Sequence, residues 1–336
     1  MISHARDARV SRLLRVLASA AALLSWGALA RAGAAIGWLA GSVLRIRRAA
    51  VEAAMRRAQI ARPEREARAM YTHLGAGVME LLWLAGSSRE RRDRALREHV
   101  VFDDDLDATL RAACARGPVV LAASHTGNWE LVAYGAAKVF AGYDRRLAVV
   151  VKEQSVGAVH AFCMNLREAC GLRLLAPIGA MTEARRSLAT GHIVAMPVDQ
   201  VPDRARHGVG VSFLGAPAHA DRAPAALARA AGATLVVTAG SRDGRTQRIH
   251  LLAELTAASQ VEMPAAEWIA GATRAASAAL EAFVRQRPSA WLWLHRRWRA
   301  PLEVGGTSRA ARAGQGQGLA GAGRGSESLV TTGHPG

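Results

Sequence analysis

The stretch Pro118–Ala137, "PVVLAASHTGNWELVAYGAA", decides how the rest of the chain is read. Val119-Val120-Leu121 is a β-branched, apolar run that suits a buried strand, and "SHTGN" soon after it is a turn signal. "WELVAYGAAKVF" then resumes with helix-compatible spacing. A strand–turn–helix corner of this kind presents side chains and backbone N–H groups at the carboxyl end of a sheet, where α/β proteins hold their ligands. The corner carries a titratable pair, His125 and Glu130, with four residues between them.

Spacing alone does not single this pair out. With eleven histidines and 27 carboxylates in 336 residues, roughly one histidine with an acid at +5 is expected by chance. A second match does occur, His99 and Asp104 in "REHVVFDDD". It lies in a charged segment with no small residues around it and reads as solvated surface. His125 differs because it follows a buried run and enters a turn.

Outward from this corner, short apolar runs alternate with helical stretches. "RRLAVVVK", "LRLLAP", "HIVAMPVDQ" and "ATLVVTAGS" read as further strands. "VHAFCMNLREAC", "MTEARRSLAT" and "PAALARAAG" read as helices between them. The alternation predicts an α/β layered domain whose mostly parallel or mixed sheet is flanked by helices. Upstream, residues 47–100 are arginine-rich with helical periodicity, and Pro63 followed by Glu64 and Glu66 marks a helix start. Met70, Leu74, Val78, Leu81 and Leu82 form its apolar stripe. Glu80 lies inside that stripe, so an arginine partner is expected for it. From Gly305 onward the chain is Gly/Ala/Ser-rich without periodicity, which predicts a disordered tail. The expected organisation is a basic, apolar segment over 1–46, one α/β domain over 47–303 and the tail over 304–336.

Lys+Arg exceeds Asp+Glu by 44 − 27 = 17, and arginine supplies nearly all of it. Such a field attracts anionic lipid headgroups or acidic proteins. Nucleic acid is the weaker choice, because aromatics are only 5% and no zinc-finger spacing, aromatic RNA-binding signature or basic-region heptad is present. Cys114, Cys163 and Cys170 are odd in number and lack C-x-x-C spacing, which points to a reducing compartment and no structural metal.

The amino terminus has two readings. Arg6, Arg9, Arg12 and Arg15 precede the apolar run Val16–Ala30, which ends in Ala28-Leu29-Ala30, an A-x-A cleavage pattern. Alternatively, Val16–Leu44 with Arg31 inside it forms a tilted membrane helix or an interfacial anchor. The retained anchor is favoured, because apolar character continues past the cleavage pattern and Arg45, Arg47 and Arg48 crowd the far end.

Several ordered blocks resemble a known family. "SHTGNWELV" resembles the His-x4-acid motif of the glycerolipid-type acyltransferases, in the branch that acylates lipid A precursors late in endotoxin synthesis. "MPVDQVPDRARHGVGVSFLGAPAHADRAPAALARAAGATLV" resembles that family's Asp-Gln block, Phe-x-Gly segment and Leu-Ala-Arg-x-x-Gly-Ala helix. "RPSAWLWLHRRWR" resembles its Pro-x-x-Trp-x-Trp-x-His-Arg-Arg-Trp signature, and "GVMELLWL" its glutamate segment, here Glu80. Ala54-Met55 departs from the family's usual Asn-Leu, and the aromatic pairs around the Phe-Gly block are thinned to Ser212-Phe213-Leu214-Gly215. The resemblance implies a membrane-associated O-acyltransferase on the cytoplasmic face of the cell inner membrane. Its donor would be acyl carrier protein or acyl-CoA, and its acceptor a lipid A precursor or related glycolipid. Relatives that acylate mannosylated phosphatidylinositol share the motif, commonly with aspartate as the acid. A lysophospholipid acceptor, a thioester hydrolase using the same pair, and a non-catalytic lipid-binding protein also stand as alternatives.

The residues agree with acyl transfer. Moving an acyl group from a thioester to a hydroxyl needs a base for the hydroxyl proton and a carboxylate to orient the imidazole. His125 is the expected base and Glu130 the expected orienter. Gly127 allows close backbone approach, and Asn128 or backbone N–H groups are candidates for holding the oxyanion. Asp199 and Gln200 end a strand beside Pro197, which favours a place at the site or, equally simply, a turn. Arg167 in "NLREACG" resembles a family arginine that would meet phosphate or the carbonyl. Ser124 lacks a G-x-S-x-G elbow, so direct transfer is preferred to an acyl-enzyme. Trp291 and Trp293 suit either a lipid pocket or plain core, and His295 reads as structural. No metal or cofactor is called for.

Overall fold

The computed structural model describes residues 2–151, 156–255 and 262–299. Helices α1 (Ile2–Ala21), α2 (Trp26–Trp38), α3 (Arg48–Arg57), α4 (Pro63–Gly86) and α5 (Arg89–His99) come first. An alternating region follows: β1 (Val100–Phe102), α6 (Asp104–Arg116), β2 (Val119–Ala123), α7 (Trp129–Ala141), β3 (Leu147–Val150), α8 (Gly157–Ala169), β4 (Arg173–Leu175), α9 (Ala180–Ala189) and β5 (Ile193–Pro197). The hairpin of β6 (Gly208–Phe213) and β7 (Ala216–Asp221) leads to α10 (Ala223–Ala231), β8 (Thr234–Asp243), β9 (Thr246–Leu255) and α11 (Ala265–Gln286).

The main sheet has the order β1-β9-β8-β2-β5-β3-β4 and is parallel at every pairing except the β8–β9 hairpin. The α/β layered sheet expected from the alternation is therefore present. Each face carries its own core. Leu131, Tyr134 and Phe140 of α7 pack with Leu106 and Leu110 of α6 on one side. Leu227 of α10, with Leu280 and Phe283 of α11, packs on the other. β2 lies at the centre, with Val119, Val120 and Ala122 fully buried between the two layers, as expected of a strand covered on both faces.

The amino-terminal segment is not one continuous helix over Val16–Leu44. The chain breaks between α1 and α2, and α2 passes into one π-helical turn, Leu39–Val43. Among the described residues no single helix is long and apolar enough to cross a membrane, and Trp26–Val43 with Arg48–Arg57 reaches that length only through an 84° bend. Helix α2 packs closely on α4. A Cβ on Gly75 of α4 would lie 2.1 Å from the Gly33 carbonyl oxygen of α2, and one on Gly37 the same distance from that of Tyr71. Two helices this close share a backbone contact that side chains on these glycines would destroy. Residues 2–46 thus pack onto the domain largely through α4, and the expected tail over 304–336 lies outside the described residues.

Candidate active site

The turn after β2 is fixed from three directions. Gly127 takes φ +60°, and a Cβ there would meet Gln247 Oε1 at 2.8 Å, so the position suits glycine. Its N–H donates to the Ala290 carbonyl (2.8 Å), while Leu292 N–H donates to the His125 carbonyl (3.1 Å). Asn128 caps α7: its Oδ1 accepts from Leu131 N–H (3.3 Å) and its Nδ2 donates to Glu80 Oε2 (2.9 Å). Glu80, 1% exposed, is gripped bidentately by Arg242 at 2.7 and 2.8 Å, which supplies the arginine expected for it. With the Asn128 amide committed at both ends, and its N–H and that of Gly127 already donating to Gln247 Oε1 and Ala290, these groups build the corner. They are not open donors for an oxyanion as the sequence suggested.

The partner of the His125 imidazole is Asp199, not Glu130. β2 and β5 pair in parallel through Ala123 and Pro197. Two residues further along each strand, His125 and Asp199 meet at the carboxyl edge. Asp199 Oδ1 lies 2.9 Å from His125 Nδ1, and Asp199 Oδ2 accepts from the His125 backbone N–H (2.8 Å) and from Trp291 Nε1 (3.1 Å). Asp199 is fully buried. Burial alone would raise its pKa, but the charge and hydrogen bonds of His125 hold it well below the usual carboxylate range. At His125, burial favours the neutral ring; the Asp199 charge and hydrogen bond, with the Glu130 charge beyond them, outweigh this and lift its pKa above the ordinary histidine value.

Glu130 has other partners. Arg167 Nε donates to its Oε2 at 2.9 Å, Arg167 Nη2 bonds its Oε1, and Tyr134 Oη donates at 2.8 Å. The expected orienter is therefore an ion pair with Arg167 beside the imidazole. The five-residue offset sends Glu130 into the first turn of α7, facing Arg167 of α8, while the strand register delivers Asp199 to Nδ1. Gln200 Nε2 lies 3.4 Å from His125 Nε2. Ser124 Oγ bonds Thr126 Oγ1 (2.9 Å) and approaches the Thr238 carbonyl (3.5 Å). The rings of Trp129 and His295 flank His125, with centroids at 5.3 and 4.8 Å.

A cavity of about 160 Å³ opens from His125, Glu130 and Arg167 into the layer between the sheet and helices α6 and α7, where Leu106, Leu110, Phe140 and Leu147 line it. An imidazole whose Nδ1 proton is held by a buried carboxylate leaves its Nε2 lone pair to take a proton. Here the ring borders an apolar cavity and the Glu130–Arg167 ion pair. His125, Asp199 and His295 also bring one ligand atom each within 4.8 Å of one another. The two Asp199 oxygens are already engaged by three donors, so a shared hydrogen-bond system describes the group better than a metal site does. The other spaced pair separates: His99 ends α5, with its ring stacked on Trp26 at 4.4 Å.

Gln247 is a contributor that sequence reasoning missed, and Trp291, read there as lipid pocket or core, bonds Asp199. They lie 119 and 92 residues from the groups they bond, Asn128 and Asp199, and nothing local in "TQRIHLL" or "WLWLHRRWR" signals those contacts.

With this geometry in hand, the chain matches the family model described as bacterial lipid A biosynthesis acyltransferase over residues 7–300. No individual curated protein matches it.

Proposed function

The chain belongs to the bacterial lipid A biosynthesis acyltransferase family, and from that premise we propose that it moves a fatty acyl chain from a thioester to a hydroxyl of a glycolipid, with His125 as general base. The observation that carries this reading is the His125–Asp199 pair at the mouth of an apolar cavity. Nε2 takes the acceptor hydroxyl proton as the oxygen attacks the thioester carbonyl carbon. The tetrahedral oxyanion forms beside Arg167 and the amino-terminal end of α7, where the Leu131 N–H is taken by the Asn128 side chain and the Trp129 and Glu130 N–H groups have no intrahelical acceptor. The carbon–sulfur bond then breaks, the thiolate leaves and recovers the proton from Nε2, and an ester remains. Asp199 stabilises the imidazolium between those steps. Ser124, bonded to Thr126 and Thr238, has no part in this sequence, which keeps transfer direct.

The donor in this reading is acyl carrier protein or acyl-CoA, with its chain in the cavity lined by Leu106, Leu110 and Phe140. The net charge of +17 suits an acidic carrier protein and an anionic membrane. The acceptor is a lipid A precursor or a related glycolipid. Location on the cytoplasmic face of the inner membrane follows from the cytosolic supply of thioesters. Attachment would come from the apolar side chains that α1, α2 and the following turns leave exposed, among them Val16, Leu17, Leu23, Trp38 and Leu44, flanked by Arg31, Arg45 and Arg47. This is an interfacial attachment, because α2 is held on α4.

The test is a product assay with acyl-carrier donor and glycolipid acceptor, read by mass spectrometry. A gain of one acyl chain on the acceptor supports transfer. Free fatty acid alone would make the same pair a hydrolase.

A further inference from the structure

Arg297 is a buried cation with no ion-pair partner among the described residues. It is 1% exposed, yet among the described residues no carboxylate lies within ion-pair distance of it, and its Nε and Nη2 have no hydrogen-bond partner. Only Nη1 is used, donating to the His219 carbonyl at 2.5 Å, and the guanidinium lies 4.8 Å from the Phe213 ring centroid. A guanidinium taken out of water with two nitrogens unsatisfied is costly, and proteins rarely keep such a group unless something binds it.

Arg297 lines a second cavity, of about 100 Å³, with its unpartnered Nε and Nη2 covered in the wall. Gln200, His295, Arg296 and Arg299 line it, with Asp199 at its inner end. His295 Nε2 is likewise buried and unpartnered. Both Asp199 oxygens are engaged by His125 and Trp291, and among the described residues Arg299 is the only lining arginine in an ion pair, with Asp203 at 3.5 Å. Three guanidinium groups therefore face one lining carboxylate. The Nε–Nη2 edge of an arginine is the fork that binds two oxygens of one anion. The volume is several times the roughly 30 Å³ that a water occupies in the liquid.

We propose that this cavity is a phosphate-binding site, in which Arg297 Nε and Nη2 grip two oxygens of a phosphate group and His295 Nε2–H donates to a third. Its place next to His125 makes the phosphate part of a reacting molecule. Two sources carry that chemistry: a phosphate ester on the glycolipid acceptor, and the phosphodiester of a pantetheine arm on the donor. The choice of source rests on the acyl-transfer reading; the existence of the anion site does not.

The experiment has a binding arm and a kinetic arm, both on the full chain in detergent. Inorganic phosphate is titrated into the wild type and followed by thermal melting and by fluorescence of the neighbouring tryptophans. Saturable binding is expected, weakened about 10- to 100-fold in Arg297→Gln by loss of a charge-assisted contact and less in Arg297→Lys. If Arg297→Gln does not fold, the wild type decides alone through inhibition by inorganic phosphate. Competition against the acceptor, with a raised KM for dephosphorylated acceptor, assigns the site to acceptor phosphate. Competition against the donor, with a raised KM for acyl-pantetheine lacking its phosphate, assigns it to the donor. Absence of saturable phosphate binding, or inhibition competitive with neither substrate, overturns the proposal. Phosphate binding without acyl transfer would instead sink the catalytic reading and leave the anion site standing.

Discussion

Asp199 holds His125 twice, once through the ring at Nδ1 (2.9 Å) and once through the backbone N–H (2.8 Å). The double contact comes from two adjacent parallel strands ending in register, so the carboxylate fixes both where the histidine's backbone runs and which tautomer its ring adopts.

Asp199→Asn should lower kcat by about 10²–10⁴-fold, since the base loses its orienting charge. The reactive form is the neutral imidazole, so activity falls as pH drops through the His125 pKa. In the wild type that pKa is raised, mainly by Asp199 against the opposing effect of burial. Removing the charge leaves burial to dominate, so the acidic limb of kcat/KM should move to lower pH in Asp199→Asn. A limb that stays in place would mean that Asp199 does not face the catalytic base.

Trp291→Phe keeps the ring packing against Phe213 and Trp293 and deletes one donor to Asp199. The less solvated carboxylate becomes more basic and stabilises the imidazolium more. The acidic limb should therefore move to higher pH, opposite in sign to Asp199→Asn, with kcat reduced about tenfold. The pH profile of the purified variant reads this directly.

Glu130 and Arg167 form a pair that is 11% and 17% exposed at the side chain. Removing either partner leaves the other nearly buried and unpaired, a loss of about 3–5 kcal/mol for such pairs. Denaturant unfolding of Glu130→Ala, Arg167→Met and the double variant should give a double-variant loss well below the sum of the single ones. Additive losses would show that the two charges do not depend on each other.

Trp38→Ser combined with Leu44→Ser should weaken flotation with anionic vesicles while leaving the melting temperature close to wild type, because both side chains are more than half exposed. Deleting residues 1–45 should instead destabilise the domain, since it uncovers the face of α4 on which Gly33 and Gly37 of α2 lie. Unchanged flotation of the double variant would place the attachment elsewhere.

What was legible in the sequence follows how local each signal is. The β2 run, the turn at Ser124–Asn128 and the start of α4 at Pro63 were readable because burial, turn chemistry and a helix-start proline act within a few residues. β9 was not, since "TQRIHLLAEL" is half exposed and breaks the apolar pattern with Arg248 and His250, although Asp243-Gly244 before it carries a hairpin signal. Val78, placed on the apolar stripe of α4, is 52% exposed, although Leu82 and Tyr71, one and two turns along the same face, are buried. The His125–Glu130 pairing failed for a geometric reason. Neighbourhood in sequence suggested contact, but a strand-to-helix corner turns the helix side chain toward α8, and the contact to Nδ1 is made by a residue 74 positions away. The short β1 and the Trp291 contact depend on long-range packing and leave no local trace, whereas the β6–β7 hairpin closes locally at Leu214-Gly215, both at positive φ.

The central claim is that His125 is the base for acyl transfer, and the most direct measurement is product formation by His125→Ala beside His99→Ala, each checked for a wild-type melting transition. His125→Ala should lose acyl transfer by about 10²–10⁴-fold, and His99→Ala, which loses only a stack on Trp26, should transfer at close to the wild-type rate. A folded His125→Ala that still acylates the glycolipid at the wild-type rate would contradict the account.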